Sequence, residues 1–499
     1  MLFNSFEFLI FFPLVVLLYF LLPHKLRVIF LLIASSIFYM TFKVEYIFIL
    51  FFLIIVDYFA AFFIAKEGGI KRKIYLLLSL VANLGILFYF KYFNFVFDSI
   101  SYIFNFLKMS HDFPTLSILL PLGLSFHTFQ AMSYTIEVYK RKQKPEKNFF
   151  HYALYVMFFP QLVAGPIERP QHLLHQFREK HYFDYERVTN GIKLIAWGFF
   201  KKVVIADRLA LFVDPIYNNN PVAQSGISFV FATILFSYQI YCDFSGYSDI
   251  AVGTAQVLGF RLINNFNSPY FANSPSDFWR RWHISLSSWL RDYIYIPLGG
   301  NKVPKIRWAI NVLITFILSG LWHGANWTFI IWGTLHGIYI IVSTLFGNFM
   351  NAFSLGVEIM KWKITYLIQI AATFCLVSFA WIFFRAKDVL DANYISTHLF
   401  KGLDSYIQDA VSYTAAYNAL PLETIAKPIL ATRGISDLAI VTFAIIVMQT
   451  VYFFQRNGDM WGYLSKKPFY IRWTAYSFLF WTIMTFGEFA KKQFIYFAF

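Results

Sequence analysis

The sequence predicts an all-α polytopic membrane protein, and three observations predict it. Charged residues make up 14% of the chain, against roughly 25% in soluble domains. Hydrophobic residues make up 58%, and mean hydropathy is +0.55. Apolar runs of about 18 residues or more, long enough to cross a bilayer as helices, recur along the whole length.

In chain order, the apolar runs predict spans over residues 7–22, 28–42, 46–65, 74–90, 116–138, 148–165, 190–213, 226–242, 307–322, 325–346, 364–384, 436–455 and 470–488. The run from Phe8 to Leu22 lacks a basic flank and a small-residue cleavage site, so it reads as a retained first span. The net charge of +15 is a topology signal. Basic loops at 24–27 (HKLR), 66–73 (KEGGIKRK) and 140–147 (KRKQKPEK) fall on one side if the N-terminus faces outward from a cytoplasmic membrane. Because the basic residues lie in short loops between spans, nucleic acid is not an expected partner. Cys242 and Cys375 both sit in apolar surroundings, which implies neither a disulfide framework nor a zinc site. The chain shows no internal repeat of the kind transporters carry, and it is read as one domain over residues 1–499.

Residues 278–337 form the core stretch. FWRRWHISLSSWLRDYIYIPLGG opens it and predicts an amphipathic helix. Phe278, Trp279, Trp282, Leu286, Trp289, Leu290 and Tyr293 fall within an arc of about 120°, and His283 lies about 20° past its edge. Arg280, Arg281 and Arg291 occupy the polar remainder. Pro297 and Gly299-Gly300 end the helix, and Ser274 or Ser276 is its expected N-cap. LSGLWHGANWTFIIWGTLHG closes the stretch, apolar and interrupted at Ser319-Gly320. His323 and His336 lie in it. An imidazole at membrane depth is costly, so each is either a hydrogen-bonded packing residue or a catalytic one. On one continuous helix the two would point about 140° apart, which rules out a metal pair of the i,i+4 type.

Other polar groups fall at membrane depth. His127 is expected to pack inside a span. PQLVAGPIERP (160–170) carries Glu168 and Arg169, and YCDFSGYSD (241–249) carries Asp243 and Asp249, either able to orient a histidine, bind a polar substrate or cap a helix. No phosphate-binding loop, dinucleotide fingerprint or nucleophile elbow occurs, which argues against ATP-driven transport and serine hydrolysis. The tail 489–499 ends in FIYFAF, an aromatic anchor at its simplest.

These stretches resemble the membrane-bound O-acyltransferase (MBOAT) family. The likeness is carried by DFWRRWHISLSSWLRDYIYIPLGGN, LSGLWHGANWTFIIWGTLHG, FFPQLVAGPIERP, YCDFSGYSDIAVG, WIFFRA and the C-terminal FIYFAF. It is nearest the bacterial branch that O-acetylates alginate, peptidoglycan and other polysaccharides. The resemblance implies about eleven crossing helices plus short tilted or re-entrant ones around a funnel. It implies that His323 is the catalytic histidine and His283 a second one near the funnel neck. It further implies acetyl transfer from cytoplasmic acetyl-CoA, a substrate with no bound cofactor or metal, toward a polysaccharide outside. A separate extracytoplasmic SGNH-type protein is the implied partner. Tyr496 would carry the acyl group, and Ala498 replaces the Gln usual in such tails.

A buried neutral histidine suits the chemistry, since acyl transfer needs a base for the accepting hydroxyl. Arg280, Arg281 and Arg291 are candidates for the CoA phosphates, with Trp322, Asn326 and Asp243 as further binding residues; snorkelling to lipid headgroups is the competing role for the arginines. D-alanyl transfer to teichoic acid is the alternative within the family. A polysaccharide or lipid transporter, or a scaffold for a secreted enzyme, is the alternative outside it.

Overall fold

The computed structural model describes residues 1–109, 113–117, 119–353, 360–417, 430, 434–455, 464–489 and 494–495. These residues form helices and loops, with no strand among them. Among the described residues, seven helices are long and apolar enough to cross a membrane: Tyr46–Lys66, Gly69–Phe106, Gly226–Leu258, Lys305–His323, Trp327–Phe346, Thr365–Arg385 and Ile435–Gln455. The chain divides into two compact units, one of residues 1–196, 247–264 and 496–499, the other of residues 197–246 and 265–495.

In the first unit, α1 (Phe6–Leu21), α2 (His24–Met40), α3 (Tyr46–Lys66) and α4 (Gly69–Phe106) fall on the first four apolar runs, and α5 (Leu124–Tyr139) and α6 (Phe149–Met157) on parts of the next two. Ser5 starts α1 by accepting the Phe8 N–H. Polar contacts inside the bundle fix the packing of α3, α4 and α5. The buried Asp57 carboxylate accepts from Ser79 (2.6 Å) and Asn83 (2.9 Å), and Ser79 also meets Thr135 (3.0 Å). Paired hydrogen bonds of this kind hold helices together where lipid supplies no hydrophobic drive. His127 is buried here as expected, but neither ring nitrogen has a hydrogen-bond partner among the described residues.

Two expected spans change. The run 116–138 becomes helical only at Leu124, because Pro121 and the left-handed Gly123 precede it; a Cβ at Gly123 would lie 2.6 Å from the Leu162 carbonyl oxygen. The run 148–165 stops at Phe158, two residues before Pro160, and continues as a single helical turn, Phe159–Leu162, and then as buried irregular chain. Such backbone survives at depth only when protein covers it. Glu168 pins this loop by accepting the Ile263 N–H (2.6 Å) and bonding His172 (2.7 Å), so it is structural.

Helix α7 (Tyr185–Phe199) leads through a π turn, Phe200–Ala206, into α8 (Asp207–Tyr217). Helix α9 (Gly226–Leu258) follows and contains Asp243 and Asp249 in its interior, so neither caps a helix. In the second unit come α10 (Pro275–Arg281), α11 (Ile284–Leu290), α12 (Lys305–His323), α13 (Trp327–Phe353), α14 (Met360–Arg385), α15 (Val389–Thr397), α16 (Leu403–Tyr417), α17 (Ile435–Gln455) and α18 (Phe469–Phe486).

The pair α12 and α13 is the tightest feature of the second unit. A Cβ at Gly320 would lie 2.1 Å from the Phe329 carbonyl oxygen, and one at Gly333 would lie 2.2 Å from that of Phe316. Glycine therefore allows backbone-to-backbone approach, the usual device of helix pairs in membranes. Ser319-Gly320 does not interrupt the helix as expected; it is the crossing point.

Candidate active site

The site lies within the second unit and begins with a broken helix. Ser274 accepts the Asp277 N–H (3.2 Å) with Pro275 behind it, the predicted cap. The continuous amphipathic helix expected from Phe278 to Tyr293 does not form. It stops at Arg281, resumes at Ile284, and passes into a π turn at Arg291–Tyr295. At the break His283 adopts φ 43°, ψ 54°, the left-handed region. The preceding loop holds this conformation. The Asn265 carbonyl accepts Ile284 N–H (2.9 Å), its side chain accepts Ser285 N–H (3.3 Å), and Asn267 N–H donates to the Arg281 carbonyl (2.9 Å).

The break redirects His283. An edge position was expected, but the ring is fully buried, at 0% exposure. It stands edge-on to Phe244 (centroids 4.6 Å) and lies 5.7 Å from Trp322 and 6.2 Å from His323. His323, the last residue of α12, is 3% exposed and packs against Trp322 (4.9 Å), Trp332 (5.0 Å) and Phe384 (5.4 Å). The two candidate histidines are thus brought together inside an aromatic cage.

His323 and His336 are not on one helix. The turn 324–326 reverses the chain, so both rings approach Trp332, at 5.0 and 4.9 Å. His336 accepts the Trp279 indole N–H at Nδ1 (3.3 Å), while its Nε2 has no partner among the described residues.

Trp279 also walls a cavity of about 830 Å³, a size that takes a cofactor-sized molecule. Its exposed edge carries three cations, Arg280, Arg291 and Lys305, together with Asn301, Ser287 and Ser288. Its buried side includes Trp279, Val312, Thr315 and Ser319. Ser319 is 1% exposed, and its hydroxyl has no hydrogen-bond partner among the described residues. It lies one turn before His323 on α12, on the same helix face.

The geometry places four of the expected binding residues away from this cavity. Arg281 does not line the cavity; it pairs with Asp277 (2.9 Å). Asn326 is not in the cavity lining; it accepts the Thr328 N–H (3.0 Å) at the start of α13 and donates to the Lys387 carbonyl (3.2 Å). Trp322 is cage, not cavity wall. Asp243 bonds neither histidine; its Oδ1 takes the Lys202 ammonium (2.5 Å). Lys305, Ser319 and Trp279 were missed as cavity residues. Lys305 sits just past the two glycines that end the core helix, and a Ser-Gly pair reads as a helix breaker, so neither signalled a site. Tyr496 lies outside the described residues.

The model of the membrane-bound O-acyltransferase family matches residues 88–385, which contain every described element of the site. The chain belongs to the membrane-bound O-acyltransferase family. It is similar to the peptidoglycan O-acetyltransferase of Helicobacter pylori, with 38% identity over 72% of this chain and 71% of that protein. It is also similar to the probable alginate O-acetylase AlgI of Pseudomonas aeruginosa, with 39% identity over 78% of this chain and 73% of that one. The teichoic acid D-alanyltransferase of Streptococcus thermophilus matches at 30% identity over 46% of this chain and 58% of its own length. The chain is therefore a polytopic membrane acyltransferase of the O-acetylating type, and transport without acyl chemistry is set aside.

Proposed function

We propose that this enzyme takes acetyl from acetyl-CoA on the cytoplasmic side and passes it outward, through its C-terminal tail, toward O-acetylation of an extracytoplasmic polysaccharide. The observation that carries the reading is the cavity: cations at its open edge, a buried hydroxyl at its closed side, and His323 one helical turn further on. Arg280, Arg291 and Lys305 suit the CoA phosphates, with Arg280 and Arg291 able to bind them in a fork. A basic rim also favours the cytoplasmic face, as do the basic loops after the first, third and fifth spans, which set the N-terminus outward.

In this reading Ser319 donates to the thioester carbonyl oxygen as negative charge develops there. His323 takes the proton of the Tyr496 phenol as its oxygen attacks the carbonyl carbon. The C–S bond breaks and the CoA sulfur leaves, receiving the proton from His323. The acetyl ester on Tyr496 is then passed, through an SGNH-type protein outside, to a polymer hydroxyl, restoring the phenol. His283, edge-on to Phe244 and beside Trp322, orders the cage around His323. Alginate-like polymers and peptidoglycan are the acceptor classes named by the more extensively matching relatives. D-alanyl transfer is the second reading, resting on the relative with the shorter match.

The deciding experiment incubates the purified enzyme with acetyl-CoA labelled in the acetyl group and maps the label by mass spectrometry. Label on the C-terminal peptide, absent in Tyr496→Phe, supports the reading. A fully active Tyr496→Phe enzyme with no label on the tail overturns it.

A further inference from the structure

The chain after α18 is fastened to the second unit at three points. Arg208 donates to the Phe486 carbonyl (2.7 Å) and pairs with Asp437, with Glu488 also within reach at 3.7 Å. Glu488 N–H donates to the Val203 carbonyl (2.9 Å) in the π turn. Ile495 N–H donates to Asp243 Oδ2 (2.8 Å). Phe494 beside it is buried, with its ring 5.5 Å from Phe244, the same ring that stands against His283.

The third point has an unusual chemical basis. Asp243 is 1% exposed in the middle of an apolar helix. A lone carboxylate there is costly, and Lys202 offsets that cost by binding Oδ1 at 2.5 Å while also binding Asp207 at 2.8 Å. The π turn and a close helix approach bring Lys202 there: a Cβ at Gly246 would lie 2.8 Å from the Gly198 carbonyl oxygen and 3.1 Å from Lys202 N. Lys202 occupies only one oxygen of Asp243. The other is left for a donor, and the donor is a backbone N–H of the tail.

We infer that Asp243, held in place by Lys202, is a docking clamp for the C-terminal tail and positions it for acyl transfer. The clamp grips backbone, so it fixes the place of a residue without depending on that residue's side chain. Tyr496 is the next residue in sequence after Ile495. Asp243 is thus a positioning residue, and its part in catalysis rests on the proposed role of Tyr496. Its docking role does not.

The test is limited trypsin digestion of the full-length enzyme in detergent. Lys491 and Lys492 lie in sequence between the Glu488 and Ile495 attachments, so their cleavage reads whether the tail is held. Ile495→Pro removes the N–H and leaves the Lys202–Asp243–Asp207 contacts untouched. It should speed release of the terminal peptide about tenfold, the factor expected for one charge-assisted hydrogen bond. Ile495→Ala keeps the N–H and should be cleaved at the wild-type rate. Asp243→Asn should match Ile495→Pro, and the double variant should be no faster, because both remove one contact. Polymer acetylation should fall in parallel with KM for acetyl-CoA unchanged. Wild-type cleavage of Ile495→Pro, or equal acceleration in Ile495→Ala, overturns the clamp. Tyr496→Phe separates the two ideas: its full activity would remove the carrier while the Ile495→Pro digestion still decides the clamp.

Discussion

His283 and His323 face each other with ring centroids 6.2 Å apart, one in a left-handed break between two short helices and the other at the end of a spanning helix. Neither position is regular helix interior. Each ring is placed by where its helix stops, and that makes the pair sensitive to backbone changes as well as to side-chain loss.

His323→Ala should lower polymer acetylation by roughly 10²-fold or more, the usual loss when general-base help is removed. The protein should still insert and purify as a monodisperse species. Acetylation near the wild-type level in cells expressing the variant would take His323 out of the mechanism.

His283 presents a backbone question as well as a chemical one. Non-glycine residues pay about 1–2 kcal/mol in the left-handed region, and Asn tolerates it best. His283→Asn should therefore unfold at a higher temperature than His283→Ala, while both lose activity with the ring. If the two melt together, the left-handed break does not govern stability at this position.

Gly320→Ala places a methyl carbon 2.1 Å from the Phe329 carbonyl oxygen, a backbone atom that cannot swing aside. Overpacking of this kind costs about 1–3 kcal/mol. Because α12 carries both Ser319 and His323, activity should fall along with thermal stability in detergent. An unaltered melting temperature would show that the crossing relaxes.

Arg280→Gln and Lys305→Gln should each raise KM for acetyl-CoA about three- to tenfold, exposed charge contacts being modest, and kcat should change little. The effect should shrink as salt is added. Arg281→Gln, whose parent side chain pairs with Asp277 off the cavity lining, should leave KM near wild type. Equal effects from all three would point to general surface charge.

Ser319→Ala removes one hydroxyl that has no hydrogen-bond partner among the described residues. Stability should hold or rise, since an unsatisfied buried hydroxyl is lost. If that hydroxyl meets the acyl carbonyl, kcat should drop by about tenfold or more. Unchanged kcat would leave Ser319 as a lining residue only.

Much of this protein was legible in one sequence. All seven of the helices long enough to cross a membrane among the described residues fall on runs that hydropathy located, because a bilayer demands about twenty apolar residues in a row. Ser274 was legible as a cap because Ser-Pro-x-Asp carries its own local hydrogen bond. Local motifs also carried the family. The tertiary structure decided what long-range contacts alone can decide. The helix pattern from Phe278 to Tyr293 is sound over its whole length, yet Asn265 and Asn267 bind its middle and hold His283 out of the helix. Ser319-Gly320 looks like a stop, yet α13 packs so close that glycine becomes the contact itself. Asp243 reads as a carboxylate at membrane depth with several roles open to it, and only Lys202, from another segment, and Ile495, from far along the chain, show what it holds. Periodicity reports on neighbours three or four residues away. These partners come from elsewhere in the fold, so their physics is written in space and not in spacing.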